Sequence, residues 1–155
     1  MAAQAWKIYA SAKEDIGDAT IDLDAGIFKM SLHRSSGSGT ITSLSTMSTW
    51  ASVSATEITV AGGYAAGGRT MAGVTWGVGS SVLQTKWTYQ TAGLVFTASG
   101  ASLNTIRYAV IHYSVGAITS GPLLCYASLS SAAFTIASPN TLTILPASTG
   151  VFTLA

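Results

Sequence analysis

Ile106-Arg107-Tyr108-Ala109-Val110-Ile111-His112-Tyr113 is a β-prone run that is apolar on both faces of an extended chain. A strand with no polar face needs cover on both sides, so this one should run centrally, between two layers. It lies within a strand expected over 105–114, and weaker runs surround it over 69–76, 82–89, 94–98, 123–129, 133–136, 142–145 and 151–154. Gly, Pro, Asn and Ser separate them at roughly the 8–12-residue spacing of sandwiches and barrels. Pro122, Pro139 and Pro146 fall at strand edges or turns, where a missing N–H costs nothing. Upstream, the Asp24-Ala25-Gly26 turn leads into a strand with Phe28, Met30 and Leu32 on one face. Lys29, Ser31 and His33 lie on the other, the pattern of a half-buried strand.

Residues 35–40 read as a flexible loop, and 49–58 as a short helical turn with Thr49 or Ser52 as N-cap. A helix is expected over the first sixteen residues, where Trp6, Tyr9, Ala10 and Lys13 fall at helical spacing and Gly17 stops it. The predicted fold is mainly β: one domain over 1–155, an antiparallel β-sandwich or barrel with a short N-terminal helix.

Charge is scarce and unevenly placed. Charged residues make up 8% of the chain, against about 25% in ordinary soluble domains. All six acidic side chains (Glu14, Asp15, Asp18, Asp22, Asp24, Glu57) lie in the first 57 positions. From Ile58 to Ala155 only Arg69, Lys86 and Arg107 carry charge. A free monomer keeps a mixed charged surface, whereas interface cores are depleted in charge, so the pattern implies cover by other subunits. A net charge of +1 with scattered single cations argues against a nucleic-acid partner. Cys125 is alone, the opening Met-Ala-Ala-Gln-Ala-Trp-Lys lacks the regions of a signal peptide, and no 18-residue apolar run exists. No membrane partner is expected, and the protein should be made in a cytoplasm.

Chemistry-bearing constellations are sparse. His33 and His112 are the only imidazoles that could serve a serine nucleophile; no Gly-x-Ser-x-Gly elbow is present, and any orienting acid must come from the N-terminal third. His112, mid-strand, reads as a packed or interface histidine. Asp18, Asp22 and Asp24 match no calcium loop, because Ile21, Leu23 and Ala25 interrupt them; they read as a solvated acidic face able to dock a basic partner. The glycines of 62–68 lack the Gly-Lys-Ser/Thr of a phosphate loop and serve turns. No enzyme, cofactor or metal is expected. Trp50, Trp76 and Trp87 could form a sugar-stacking platform, although aromatics within strands more often serve a core or subunit interface.

Longer motifs carry a resemblance. Ser52-Val53-Ser54-Ala55-Thr56-Glu57-Ile58 is followed by Gly63-Tyr64-Ala65-Ala66-Gly67-Gly68-Arg69-Thr70-Met71-Ala72-Gly73-Val74. Further along come Ala109-Val110-Ile111 after Arg107-Tyr108, then Pro122-Leu123-Leu124-Cys125-Tyr126, Phe134-Thr135-Ile136 and Gly150-Val151-Phe152-Thr153-Leu154. In order and spacing these resemble a family of small tailed-phage virion proteins. The chain departs from that pattern after Ile111 and Tyr126, where the family usually carries acidic residues and this chain has His112-Tyr113-Ser114 and Ala127-Ser128.

The resemblance implies a non-enzymatic virion component, with a capsid decoration or cement protein as the leading expectation. The alternative is a neck, tail or fibre component that binds a receptor or glycan. Expected partners are the major capsid protein or neck and tail proteins, and further copies of the chain in a homo-oligomer. The first 24 residues are the expected helical and acidic docking segment. Trp6, Tyr9, Asp18, Asp22, Asp24, Trp50, Trp76 and Trp87 are the candidate interface residues.

Overall fold

The computed structural model describes residues 5–36, 38–78, 84–114 and 121–154. It is mainly β, and its strands pair antiparallel throughout. Strand β1 (Lys7–Ile8) precedes helix α1 (Ala10–Gly17) and strand β2 (Phe28–Arg34). Two short helices, α2 (Ser38–Ile41) and α3 (Trp50–Val53), follow, the second continuing into a 3-10 turn over Ser54–Thr56. Strands β3 (Arg69–Thr70), β4 (Thr75–Val78), β5 (Thr85–Thr88) and β6 (Leu94–Thr97) are short; β7 (Leu103–Tyr113) is the longest. Last come β8 (Leu123–Ser128), β9 (Phe134–Ile136), β10 (Thr141–Ile144) and β11 (Phe152–Leu154).

Strand β7 organises the rest. It pairs with β2 on one edge and with β8 on the other, giving the order β1-β8-β7-β2-β3, while β9 pairs with its first residues. Val110 and Ile111, adjacent residues that face opposite ways, are both fully buried, as the absence of a polar face requires. One face carries Phe28, Met30, Leu32, Ala109 and Ile111, cross-strand neighbours in the β2–β7 register. Against it lies Trp87 of β5, edge-on to Phe28 with ring centroids 4.9 Å apart. Trp87 belongs to the small sheet β11-β5-β4 and stacks on Phe152. A second small sheet, β6-β10, joins this layer through the Tyr89 hydroxyl, which donates to the Ile144 carbonyl at 3.0 Å. The opposite face of the main sheet is covered by the helical pieces. Tyr9 packs at a tilt against Tyr126 and donates to the Ile41 carbonyl at the end of α2, and Trp50 of α3 lies on His112.

Several expectations are revised. Residues 7–8 are a strand, not helix, because the edge of β8 takes Lys7 opposite Tyr126 and Ile8 opposite Cys125. The helix starts only at Ala10, and residues 1–4 of the expected helix lie outside the described residues. The first 24 residues, expected as a docking segment, also contribute to the core. They place Tyr9, Ala12, Ile21 and Leu23 in the core, and the Leu23 carbonyl accepts the Trp87 indole N–H at 3.0 Å. Strand β2 is buried on both faces, since Ser31 and His33 are covered by α3 and its 3-10 turn. The run 69–76 is broken into β3 and β4, and the loop over 35–40 contains the first residues of α2. Residues 82–83 of the strand expected at 82–89, and Gly37 of that loop, lie outside the described residues.

Thr105 interrupts β7 with a φ of 59° beside an irregularity in the β7–β9 ladder. The left-handed conformation costs a β-branched residue about 1–2 kcal/mol, which glycine avoids at a smaller entropic cost. Thr105→Gly is expected to raise stability by up to ~1 kcal/mol in urea titrations; a lower unfolding midpoint would contradict this account of the turn.

Candidate functional site

Two of the motifs that carry the resemblance, those over 52–58 and 63–74, meet at the open edge of β2. Beyond β3, which pairs only with Lys29 and Met30, this edge leaves backbone groups to be satisfied. The Leu32 carbonyl accepts the Ile58 N–H at 3.0 Å, and the Leu32 N–H donates to the Tyr64 hydroxyl oxygen at 2.9 Å. Tyr64 in turn donates its proton to Glu57 Oε1 at 2.6 Å, and the same oxygen accepts the Gly67 N–H at 2.8 Å. The glycine loop therefore does hold an anion, but it is the chain's own Glu57 carboxylate. Burial pushes the Glu57 carboxyl above its ordinary range, against the Tyr64 and glycine N–H bonds that favour the charged form. Burial, then the charge of Glu57, raises the Tyr64 hydroxyl as well, so it stays a donor. Gly68 lies flat on β2: with a φ of +76°, a β-carbon there would sit 2.0 Å from the Met30 carbonyl oxygen.

A second cluster lies across β2 and β7. Trp50 is fixed by its backbone N–H, which donates to the Gly121 carbonyl at 2.8 Å. Its ring stacks on His112 (centroids 4.4 Å apart, 29° between planes) and meets His33 edge-on at 5.5 Å. His33 is fully satisfied. Thr56 Oγ1 gives its own proton to the Val53 carbonyl at 2.7 Å, so at 2.9 Å it accepts from His33 Nδ1. That leaves Nε2 to accept from the Ser31 hydroxyl at 2.9 Å. This is a serine–histidine contact with a threonine hydroxyl where a hydrolase needs a carboxylate, and Ser31 and His33 are both fully buried. His112 is the opposite case: neither ring nitrogen finds a partner among the described residues. Burial, then the neighbouring His112 and Arg34, lowers the His33 pKa to about 3. Burial, then Lys29, lowers that of His112 to about 4.

The expected interface residues divide sharply. Tyr9, Trp50 and Trp87 lie in the core of this chain and cannot present a face to a partner or a sugar. The cause is topological: each aromatic fills space between the main sheet and its covering layer. Trp6 and Trp76 pack against the core but stay partly exposed. Asp18, Asp22 and Asp24 are exposed. Asp18 accepts the Thr20 N–H, and Asp22 accepts the Asp24 and Ala25 N–H groups, so these two carboxylates also shape their own turns. Both are held below the usual carboxylate range, Asp18 by the Thr20 hydroxyl and then the Thr20 N–H, Asp22 by the Ala25 and Asp24 N–H groups. Among the described residues, no three His, Cys, Asp or Glu side chains gather as a metal site would need. No described helix is long and apolar enough to cross a membrane. Sequence spacing could not show that Glu57, Tyr64 and Gly67 touch, because the contact is made by a loop folding back onto a distant strand.

Two outcomes follow from this geometry. Tyr64→Phe strips the buried Leu32 N–H of its acceptor and Glu57 of its donor, so it is expected to cost about 2–3 kcal/mol in denaturant titrations. A loss under ~0.5 kcal/mol would remove the clamp from the account. The histidines set the acid response. The unfolded chain binds protons below a pH of about 6.5 that the folded chain refuses until near its lowered values, so stability present at neutral pH is lost on acidification. Each histidine contributes about 1.4 kcal/mol per pH unit, or on the order of 3–4 kcal/mol for the pair by pH 5. His112→Phe, which removes the unpartnered nitrogens, is expected to halve that slope, read from unfolding midpoints across pH 5–7; an unchanged slope would contradict it. Comparison of the chain with family models, curated proteins and solved structures finds no match.

Proposed function

We propose that this chain is a non-enzymatic structural subunit of a tailed-phage particle, an accessory capsid component that acts by adhesion between subunits. The observation that carries the reading is the partition of charge. Beyond Glu57 the chain has only Arg69, Lys86 and Arg107 as charged residues, so the exterior built by β3 to β11 offers hydroxyls, amides and apolar groups. Val60, Val78 and Leu145 are each more than half exposed there. Such a surface suits burial against neighbours, where a charge costs far more desolvation than an apolar group or a hydroxyl that finds a hydrogen-bond partner. The order and spacing of the resembling motifs support the same class, and the clamp gives them a physical role: Glu57, Tyr64 and the glycines close a sheet edge. They hold the fold in one shape for packing and are committed inside it. Weak contacts repeated over many copies give firm attachment without any single strong one.

Quantitative mass spectrometry of purified particles tests the reading. An accessory capsid subunit is expected at a copy number comparable to that of the major capsid protein. A few copies per particle would shift the assignment to the neck, tail or fibre, and absence from the particles would overturn it.

A further inference from the structure

Strand β7 contains an extra residue. His33 of β2 pairs with Tyr108 and Arg34 pairs with Ile106, which leaves Arg107 opposite no residue. In a regular strand Arg107 and Tyr108 point to opposite faces. The bulge brings both onto the wall of one cleft, of about 260 Å³, shared with Lys7, Tyr126, Ser128 and Ser131. The Arg107 guanidinium carbon lies 5.3 Å from the centre of the Tyr108 ring, and its Nε is buried without a hydrogen-bond partner among the described residues. Two cations line this cleft and no carboxylate does. Cationic donors that line a cleft without an acidic partner suit an oxyanion.

We propose that this cleft binds a carboxylate, and that its occupant is the exposed acidic segment around Asp18 and Asp24 of a second copy of the chain. Charge complementarity selects the occupant. Residues 58–155 contain no acidic side chain, Glu57 is committed to Tyr64 and Gly67, and the remaining acids cluster at 14–24. Asp18 and Asp24 stand exposed there, and the carboxylate of Asp18 is held in its charged form by Thr20. The contact joins two different patches, so it is heterologous: each pair keeps a free cleft at one end and a free acidic segment at the other, and the association runs on to a ring or an open array. The proposal deepens the subunit reading above and rests on it for the occupant. The chemistry of the cleft stands by itself.

Sedimentation velocity of the full-length chain, with chemical denaturation to confirm folding, tests it. The wild type is expected to self-associate with concentration and to dissociate as salt is raised. K7E/R107E reverses the cleft, and D18K/D24K reverses the acidic segment while leaving the Asp22 turn in place; each is expected to weaken self-association tenfold or more. Mixed in equal amounts, they set each cleft against a segment of opposite charge on the other variant, so the mixture should regain self-association through alternating subunits while neither variant associates alone. K7E alone changes only an exposed side chain and should weaken association in the same direction if the double variant fails to fold. Self-association that neither reversal changes, or a wild type that stays monomeric throughout, would overturn the proposal. A wild type that binds inorganic phosphate in the cleft yet stays monomeric would overturn the occupant. None of these outcomes alters the copy number in particles, so failure here and failure of the subunit reading are told apart.

Discussion

Strand β7 has no side that faces water for most of its length, and this constraint sets the architecture. Its two edges are hydrogen-bonded to β2 and β8, and both faces of its central residues need apolar cover. Two layers meet that need by different means. On one side two small sheets bring Trp87, Tyr89 and Phe96 against the main sheet. On the other, short helices bring Tyr9 and Trp50. The demand extends outward. Once β2 is drawn into the core beside β7, its far edge must be closed too, and the chain does this with one tyrosine, one glutamate and a glycine turn instead of a long strand.

Closing the edge in that way has consequences for the surface. A long free edge invites pairing with any neighbouring strand, whereas the clamp consumes the Leu32 N–H and C=O within the chain. Under the proposed function, contacts made at this edge would fall to side chains. Among those, the exterior past Glu57 has few charges, and the bulge at Arg107 concentrates two of the chain's cations in one cleft. A chain that satisfies the Leu32 edge internally and carries few charges past Glu57 fits the proposed structural role better than that of a free monomer.

The parts of this arrangement that depend on local pattern were legible beforehand. The two-faced run at 106–113, the strand at 28–32 and the Gly, Pro and Asn punctuation all correspond to elements of the sheets. The parts that depend on long-range cover were not. Ser31 and His33 look like the wet face of a strand, and nothing in their neighbours reveals that Trp50 will lie over them. Trp50 and Trp87 read equally well as binding aromatics or core aromatics until the layers are in place. The helical spacing of Trp6, Tyr9 and Lys13 is real, but β8 had a free edge, and pairing took residues 7–8 out of the helix. A bulge is invisible to alternation, so Arg107 gave no sign that it would share a wall with Tyr108.

Cryo-electron microscopy of intact particles carrying this protein tests the central claim, adhesion as a repeated subunit, most directly. The account predicts density for the chain at symmetry-repeated positions on the capsid surface, with its charge-poor β face against neighbouring subunits. Particles whose every ordered density is explained without this chain would contradict it.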